Sequence, residues 1–110
     1  MTELKNYKMF IGGEWLDSDT DKTFETLNPE NNKPWARVPE ASASDVDKAV
    51  KAAHNAFEGE WSKLLPRDRA KFLRAIGNKL RENAELLGKI ETIDTGKLFR
   101  ETNKQAIYIA

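Results

Sequence analysis

Short apolar runs separated by turn residues fill the first third of the chain, which is a pattern typical of short β-strands. Residues 7–11 and 14–16 flank Gly12 and Gly13, whose tolerance of positive φ favours a two-residue hairpin turn. The two flanking runs are therefore predicted to pair as antiparallel strands.

Two further extended runs follow the hairpin. Residues 23–27 and 35–38 carry β-branched and aromatic side chains, which favour a pleated conformation. Pro29 and Pro39 come soon after these runs and lack the N–H group that a strand ladder requires. The sequence thus predicts short antiparallel strands over about residues 7–38.

Over about residues 44–110 the apolar positions recur every three or four residues, as on one face of an α-helix. Ser44, with Asp47 three residues later, is the predicted N-cap of the first helix. Each of three predicted helices carries one apolar stripe. The stripes are Val46, Ala49, Val50, Ala53 and Phe57; Phe72, Leu73, Ile76 and Leu80; and Leu86, Leu87, Ile90 and Ile93.

The boundaries of the later helices have their own signals. Pro66 favours the first turn of the second helix, Asn83 is the predicted N-cap of the third, and Gly96 is predicted to close it in a left-handed conformation. A fourth helix is predicted to start near Leu98, and the pattern is still apolar at Ala110. We therefore expect three or more amphipathic helices in a truncated chain.

The composition limits the classes of function. Lys and Arg number 18, as do Asp and Glu, so no net charge attracts a nucleic acid or an anionic membrane. The absence of cysteine excludes a thiol nucleophile, a thiolate metal site and a disulfide within these 110 residues. No apolar run is long enough for a signal peptide or a membrane span. We expect one soluble, cytoplasmic domain with no nucleic-acid or membrane partner.

Five sequence blocks occur in an order that is typical of one enzyme family. They are FIGGEW (10–15), FETLNP (24–29), VDKAV (46–50), Trp61 and ETIDTGK (91–97). Together they resemble the opening segment of aldehyde dehydrogenases over nearly the whole chain, with wording similar to betaine-aldehyde dehydrogenase-like members. The resemblance implies an α/β fold in which residues 1–110 form the N-terminal part of the cofactor-binding domain, an incomplete Rossmann-like unit.

The resemblance also implies the activity of the complete enzyme. Aldehyde dehydrogenases oxidise an aldehyde to a carboxylic acid with NAD or NADP, and they usually assemble as homodimers or homotetramers. Their chemistry requires a cysteine thiolate that attacks the aldehyde, a hydride acceptor and a glutamate that activates water. In this family, the catalytic cysteine, the glutamate that activates water and the glycine-rich cofactor turn lie beyond the position that matches Ala110.

No catalytic or cofactor-binding residue is therefore predicted within the 110 residues. The six glycines form no phosphate-cradling cluster after a strand. We expect the segment by itself to be inactive and to bind no dinucleotide. The aldehyde and NAD or NADP are expected to bind through the rest of the complete enzyme.

A monovalent cation site is the one functional constellation predicted inside this segment. Many members of the family hold potassium or sodium with carbonyl groups at a Thr-x-Asn-Pro strand end and the aspartate of an Asp-Thr-Gly-Lys helix end. The matching residues are Thr26, Leu27 and Asp94. A cation would offset the unfavourable position of an aspartate at a helix C-terminus, and hard cations prefer oxygen ligands. The alternative is that Asp94 caps a turn in water.

The remaining candidate side chains are assigned structural roles. His54 has no second metal-binding residue at ligand spacing and is predicted to pack at the edge of the first apolar stripe. The three tryptophans are predicted to be buried in a core or an interface, the basic residues of the second helix to form a solvated face, and the carboxylates to form no acid–base pair. These residues are Trp15, Trp35 and Trp61; Arg67, Arg69, Lys71, Arg74 and Lys79; and Glu82, Glu85 and Glu91.

Two other functions remain open from the sequence. One is a free-standing small α+β protein-interaction module, whose helix faces bind another protein. The other is an inert remnant, whose apolar stripes lack the parallel sheet that they are built to cover and so stay exposed to water.

Overall fold

The computed structural model describes residues 3–103 and shows an α/β chain. Within these residues, short strands lie at Lys5–Asn6 (β1), Met9–Ile11 (β2), Glu14–Leu16 (β3), Thr23–Asn28 (β4) and Lys33–Pro39 (β5). The helices are Ala43–Glu58 (α1), Glu60–Lys63 (α2), Pro66–Glu82 (α3), Ala84–Thr95 (α4) and Phe99–Glu101 (α5). This order confirms the prediction of short strands followed by amphipathic helices.

The strands β2 and β3 form the predicted antiparallel hairpin, with Met9 opposite Leu16. The two-residue turn requires positive φ at both positions, which Gly12 and Gly13 adopt at 61° and 87°. The hairpin packs on α1, since a Cβ added at Gly12 would lie 3.8 Å from the Cβ of Ala52.

The second sheet has the strand order β1-β5-β4. β1 runs parallel to β5, with Lys5 opposite Ala36 and Asn6 opposite Arg37. The sequence predicted strands only from residue 7 onward and only antiparallel pairs. That prediction is wrong for β1, which begins at Lys5 and pairs in parallel. A two-residue polar strand has no alternating pattern, and its pairing depends on a partner that is distant in sequence.

Helix α1 begins two residues earlier than the sequence predicts. Its N-cap is Ser42, whose hydroxyl accepts a hydrogen bond from the Asp45 N–H, while the Asp45 carboxylate accepts one from the Ser42 N–H. The prediction of Ser44 with Asp47 is therefore wrong. Both serines satisfy the capping-box spacing, and the choice is made by the tertiary contacts of Asp45.

Helices α3 and α4 confirm the predicted boundaries, with one change of role. Pro66 opens α3 and Gly96 closes α4 at a φ of 76°. Asn83 lies between the two helices, but its side-chain amide donates to the Lys79 carbonyl at 2.9 Å and makes no cap for α4. Asn83 therefore stabilises the end of α3 rather than the start of α4.

The short helices α2 and α5 lie outside the three predicted stripes. Trp61 lies within α2, whose sequence is Glu-Trp-Ser-Lys. The fourth helix predicted from Leu98 is represented by α5, and the remainder of that prediction, residues 104–110, lies outside the described residues.

The described residues divide into two compact units, 3–26 with 34–64 and 27–33 with 65–103. Among them, the buried apolar side chains are Ala36 in the first unit and Ala84 in the second. The apolar stripes of the helices are largely exposed to water, as the hypothesis of an inert remnant predicts. The exposed members are Val46, Val50 and Phe57 on α1; Phe72, Leu73 and Ile76 on α3; and Leu86 and Ile93 on α4.

Candidate functional site

The strand end predicted to bind a cation is the last part of β4. This strand lies at the edge of its sheet, and an edge strand presents carbonyl groups on the side away from its neighbour. The Asn28 carbonyl is already used, because it accepts hydrogen bonds from the N–H groups of Asn31 and Asn32 at 3.3 and 2.7 Å. Leu27, one residue earlier, has an exposed side chain.

The helix end predicted to bind a cation is the last turn of α4. Asp94 lies in this turn with its side chain exposed. The Thr92 carbonyl accepts a hydrogen bond from the Gly96 N–H at 2.9 Å, and the Glu91 carbonyl accepts one from the Thr95 hydroxyl at 2.7 Å. These bonds fix the left-handed closure of the helix directly beside Asp94.

The strand end and the helix end meet within the second compact unit. A Cβ added at Gly96 would lie 3.0 Å from Cγ of Pro29, so the two residues approach closely. Leu27 and Asp94 each precede this contact by two residues. The structure thus brings together the segments that carry them, whereas Thr26 belongs to the first unit and its role stays a prediction.

A basic side chain also lies at this end of α4. The Lys97 ammonium is 2.7 Å from a carboxylate oxygen of Glu91. The hydrogen bond to Glu91 raises the pKa of Lys97, with the charge of Glu91 acting in the same direction. Lys97 therefore supplies positive charge close to the helix terminus, where it is favourable.

His54 is exposed rather than packed. Its side chain is 64% accessible, and Nε2 lies 3.2 Å from a carboxylate oxygen of Glu58 one helical turn later. The predicted boundary-packing role is wrong for the described chain, because the neighbouring apolar stripe is itself exposed. Within residues 3–103, no group of three or more His, Cys, Asp or Glu side chains is placed to hold a metal ion.

The tryptophans differ in burial. Trp15 is 67% exposed and packs against Phe10 at a ring-centroid distance of 4.9 Å. Trp35 is half-buried and meets Tyr7 edge-on at 6.1 Å, and Trp61 is exposed at 39%. Core burial is therefore a wrong prediction for Trp15 and Trp61 in this segment, and interface burial stays a prediction.

Most of the charged side chains that the sequence analysis assigned to structural roles form ion pairs at the surface. Such pairs are consistent with a solvated face. Lys71 pairs with Asp68 and Lys79 with Glu82, each across one turn of α3. Glu85 pairs with Lys89 on α4, and the hydrogen bond from Lys89 lowers the pKa of Glu85. The remaining carboxylate, Glu91, belongs to the pair with Lys97 described above.

Within residues 3–103, the buried carboxylate of Asp45 lies in a hydrogen-bond network that the sequence did not predict. The Asp45 carboxylate accepts hydrogen bonds from the Ser42 N–H at 3.0 Å, the Ser18 hydroxyl at 2.9 Å and the Asp19 N–H at 3.2 Å. Led by the Ser42 N–H, these bonds lower the pKa of Asp45 from 3.8 to about 2, although desolvation opposes them. The network ties the loop after β3 to the start of α1, which is a structural role.

An apolar groove between α3 and α4 was also not predicted as a site. Its volume is about 490 Å³. The lining residues are Phe72, Ala75, Ile76, Lys79, Leu80, Asn83, Leu86 and Leu87. The stripes of the second and third predicted helices contain most of these residues, but stripes alone cannot show that two of them line one groove.

No helix among the described residues is long and apolar enough to cross a membrane.

Comparison with known proteins gives one consistent family. The model of the aldehyde dehydrogenase family matches residues 15–110. An aldehyde dehydrogenase of Aspergillus niger is 45% identical over 89 residues, which are 81% of this chain and 18% of that protein. The human mitochondrial 10-formyltetrahydrofolate dehydrogenase is 42% identical over 94 residues, covering 84% of this chain and 10% of its own length.

Solved structures of the same family share the fold. An NAD⁺ complex of an aldehyde dehydrogenase from Bacillus cereus matches 94% of this chain with a TM-score of 0.90 and 38% identity. A betaine aldehyde dehydrogenase from Staphylococcus aureus, also with NAD⁺, matches 87% with a TM-score of 0.83 and 39% identity. The chain spans 21% and 20% of these two structures, about one fifth of their length.

Proposed function

Because the chain belongs to the aldehyde dehydrogenase family, we propose that it forms the N-terminal part of the cofactor-binding domain of an enzyme that oxidises an aldehyde to a carboxylic acid with NAD or NADP. The observation that carries this proposal is the combination of family match and fold. Residues 15–110 match the family, and 94% of the chain superimposes on an NAD⁺-bound aldehyde dehydrogenase with a TM-score of 0.90.

The role of this segment in that reaction is to support the site rather than to perform the chemistry. The 110 residues contain no cysteine, so the thiolate that attacks the aldehyde has to come from another part of the polypeptide. NAD or NADP supplies the hydride acceptor when bound to the complete enzyme. We expect residues 1–110 alone to be inactive.

The complete protein is proposed to be cytoplasmic and to assemble as a homodimer or a homotetramer. The exposed apolar side chains on both compact units support contacts with further protein. They also weigh against a free-standing module, because among the described residues each unit buries one apolar side chain, Ala36 in the first and Ala84 in the second.

The test of this function is expression of the complete reading frame. Purified complete protein should form NADH or NADPH when it is given an aldehyde, and residues 1–110 purified in the same way should form none. Failure of the complete protein to oxidise any member of an aldehyde panel with either dinucleotide would contradict the proposal, as would turnover by the 110 residues alone.

We also propose that the complete enzyme holds potassium or sodium with carbonyl oxygens of Thr26 and Leu27 and with Asp94. The close approach of Pro29 and Gly96 supports it, because the segments of Leu27 and Asp94 meet there.

Substitution of Asp94 tests the cation site. In the wild type, potassium should raise the unfolding midpoint above that in choline chloride at equal ionic strength. A concentration one hundred times the Kd would stabilise the fold by about 2.7 kcal/mol. Asp94→Asn should lose this increment, and the control Asp47→Asn, which removes an exposed carboxylate paired with Lys51, should keep it. An equal increment in wild type and Asp94→Asn would exclude Asp94 as a ligand.

A further inference from the structure

Two tight turns of the second unit meet beside the proposed cation site. One turn follows β4 and contains Pro29, and the other closes α4 at Gly96. A Cβ added at Gly96 would lie 3.0 Å from Cγ and 3.6 Å from Cβ of Pro29. The first distance is shorter than an ordinary van der Waals contact between carbon atoms. The proline ring therefore fills the space that a side chain at position 96 would need.

The turn that carries Pro29 is fixed by hydrogen bonds to Asn28. The Asn28 carbonyl accepts hydrogen bonds from the N–H groups of Asn31 and Asn32, and its side-chain oxygen accepts one from the Glu30 N–H at 2.9 Å. The ring of Pro29 also restricts its own φ. A shift of Pro29 away from α4 would therefore strain three hydrogen bonds.

The helix end that faces this turn is fixed as well. The Gly96 N–H donates to the Thr92 carbonyl at 2.9 Å, and the Thr95 hydroxyl donates to the Glu91 carbonyl at 2.7 Å. The Lys97 N–H donates to the Thr95 hydroxyl oxygen at 3.3 Å. Because both turns are held by their own hydrogen bonds, a change at their contact moves the segments that precede it.

The groups beside this contact suit a monovalent cation. Leu27 lies two residues before Pro29, and Asp94 lies two residues before Gly96. A backbone carbonyl and a carboxylate supply oxygen ligands, which hard cations prefer, and the size of the space between such ligands decides how well an ion fits. The separation of the two ligand-bearing segments therefore depends on the contact between Pro29 and Gly96.

We propose that Pro29 and Gly96 are positioning residues, whose contact sets the separation of Leu27 and Asp94 and thereby the affinity of the site for potassium or sodium. This inference rests on the proposed cation site and deepens it. A side chain at position 96 would displace the proline by a few tenths of an ångström, and the displacement would pass to the ligands. Residues that orient metal ligands in this way commonly control the affinity of the site.

The potassium dependence of the stability of the complete protein tests the proposal. The measured quantity is the potassium concentration that gives half of the rise in unfolding midpoint, with choline chloride keeping the ionic strength constant. Gly96→Asn should raise this concentration about tenfold, the lower end of the effect of changing residues that orient metal ligands. Asparagine tolerates the left-handed conformation but adds the Cβ that lies too close to Pro29.

The matched control is Gly13→Asn. Gly13 also has a positive φ, 87°, but a Cβ added there meets nothing within 4 Å. This control carries the same change of residue in the same region of φ without the steric contact. Its half-saturating potassium concentration should equal that of the wild type.

Substitution of Pro29 separates positioning from general damage to the fold. Pro29→Ala removes Cγ, so the ligand-bearing segments lose their spacer and the potassium affinity should fall. In the double variant, a Cβ at position 96 faces the remaining Cβ at position 29 across 3.6 Å, an ordinary contact, and most of the affinity should return. Backbone strain alone predicts no such recovery, because the positive φ persists.

The outcomes distinguish this inference from the proposals on which it rests. Wild-type potassium affinity in Gly96→Asn and Pro29→Ala, with the increment lost in Asp94→Asn, would overturn the positioning role alone, as would single losses that the double variant does not recover. If Gly96→Asn fails to fold, undiminished affinity in Pro29→Ala is sufficient to overturn it. A wild type that neither potassium nor sodium stabilises would overturn the cation site together with this inference. Aldehyde oxidation is measured separately and tests the dehydrogenase function by itself.

Discussion

At the scale of single residues, Asp45 does more than cap a helix. A capping-box carboxylate needs only the N–H of its N-cap residue, yet Asp45 also accepts hydrogen bonds from Ser18 and Asp19 in the loop after β3. The Ser18 hydroxyl lies 2.8 Å from the Glu40 carbonyl as well. The carboxylate therefore joins the loop after β3 to the start of α1 through charge-assisted hydrogen bonds.

The ionisation of Asp45 predicts a dependence of stability on pH. Its pKa in the folded chain is about 2, below the ordinary value of 3.8, so the folded state favours the charged carboxylate. The resulting stabilisation is fully present above 3.8 and is lost as the pH falls through about 2. Asp45→Asn should therefore lower the unfolding midpoint at neutral pH, and the difference from wild type should shrink as the pH falls through this window.

The control for this prediction is Asp47→Asn on the same helix. Asp47 forms an exposed pair with Lys51 at 2.7 Å, and such pairs contribute little to stability. Its removal should change the midpoint much less than Asp45→Asn at every pH. Equal effects of the two substitutions would show that the hydrogen bonds of Asp45 do not stabilise the fold.

At the scale of elements, α4 depends on small residues for its packing. Thr102 is fully buried, and its hydroxyl is 3.0 Å from the Gly88 carbonyl and 3.0 Å from the Thr92 hydroxyl. A Cβ added at Gly88 would lie 3.0 Å from the backbone of Asn103. The segment after α5 therefore crosses α4 so closely that an alanine at position 88 would have to displace the Asn103 backbone by a few tenths of an ångström.

Two glycine-to-alanine substitutions should have opposite effects. Gly88→Ala should destabilise α4 by about 1–3 kcal/mol, because the backbone of Asn103 has to move. Gly77→Ala in α3 should stabilise its helix by about 0.5–1 kcal/mol, because a Cβ there meets nothing within 4 Å and alanine has the higher helix propensity. Hydrogen exchange of the α3 and α4 amides in the complete protein measures both changes. Faster exchange in Gly77→Ala, or unchanged exchange in Gly88→Ala, would contradict these packing assignments.

At the scale of the whole molecule, the balance of buried and exposed apolar surface sets the behaviour of the isolated segment. The hydrophobic effect contributes in proportion to apolar area removed from water. The helices of this segment keep most of their apolar stripes in contact with water. A stable, self-contained fold is therefore not expected for these residues alone.

Residues 1–110 purified alone should bind a hydrophobic dye and associate as their concentration rises. The physical reason is the exposure of side chains such as Trp15, Phe57 and Leu73. Dye fluorescence and sedimentation at several concentrations measure the two effects, with the complete protein as the low-fluorescence control. A monomer that melts sharply and binds no dye would instead favour the free-standing module.

The sequence by itself determined the local elements and the family. Residues that restrict or free their own backbone dihedral angles were clear signals. Gly12 and Gly13 indicated the hairpin turn, Pro66 the start of α3, and Gly96 the left-handed end of α4. These signals depend on φ and on hydrogen bonds within a few residues, so neighbouring sequence suffices to predict them. The order of the five motif blocks likewise identified the family that the comparisons show.

The tertiary structure decided what depends on residues far apart in the sequence. Ser42 rather than Ser44 caps α1 because Ser18 and Asp19 hold Asp45. β1 exists only as the parallel partner of β5. For the proposed cation site, the sequence predicted Leu27 and Asp94 as ligands. The structure shows that the segments carrying these two residues lie close together, because Pro29 and Gly96 are in contact. Local patterns encode dihedral preferences and amphipathic faces, whereas pairing, burial and grooves are properties of the packed chain, and only the coordinates of both partners define them.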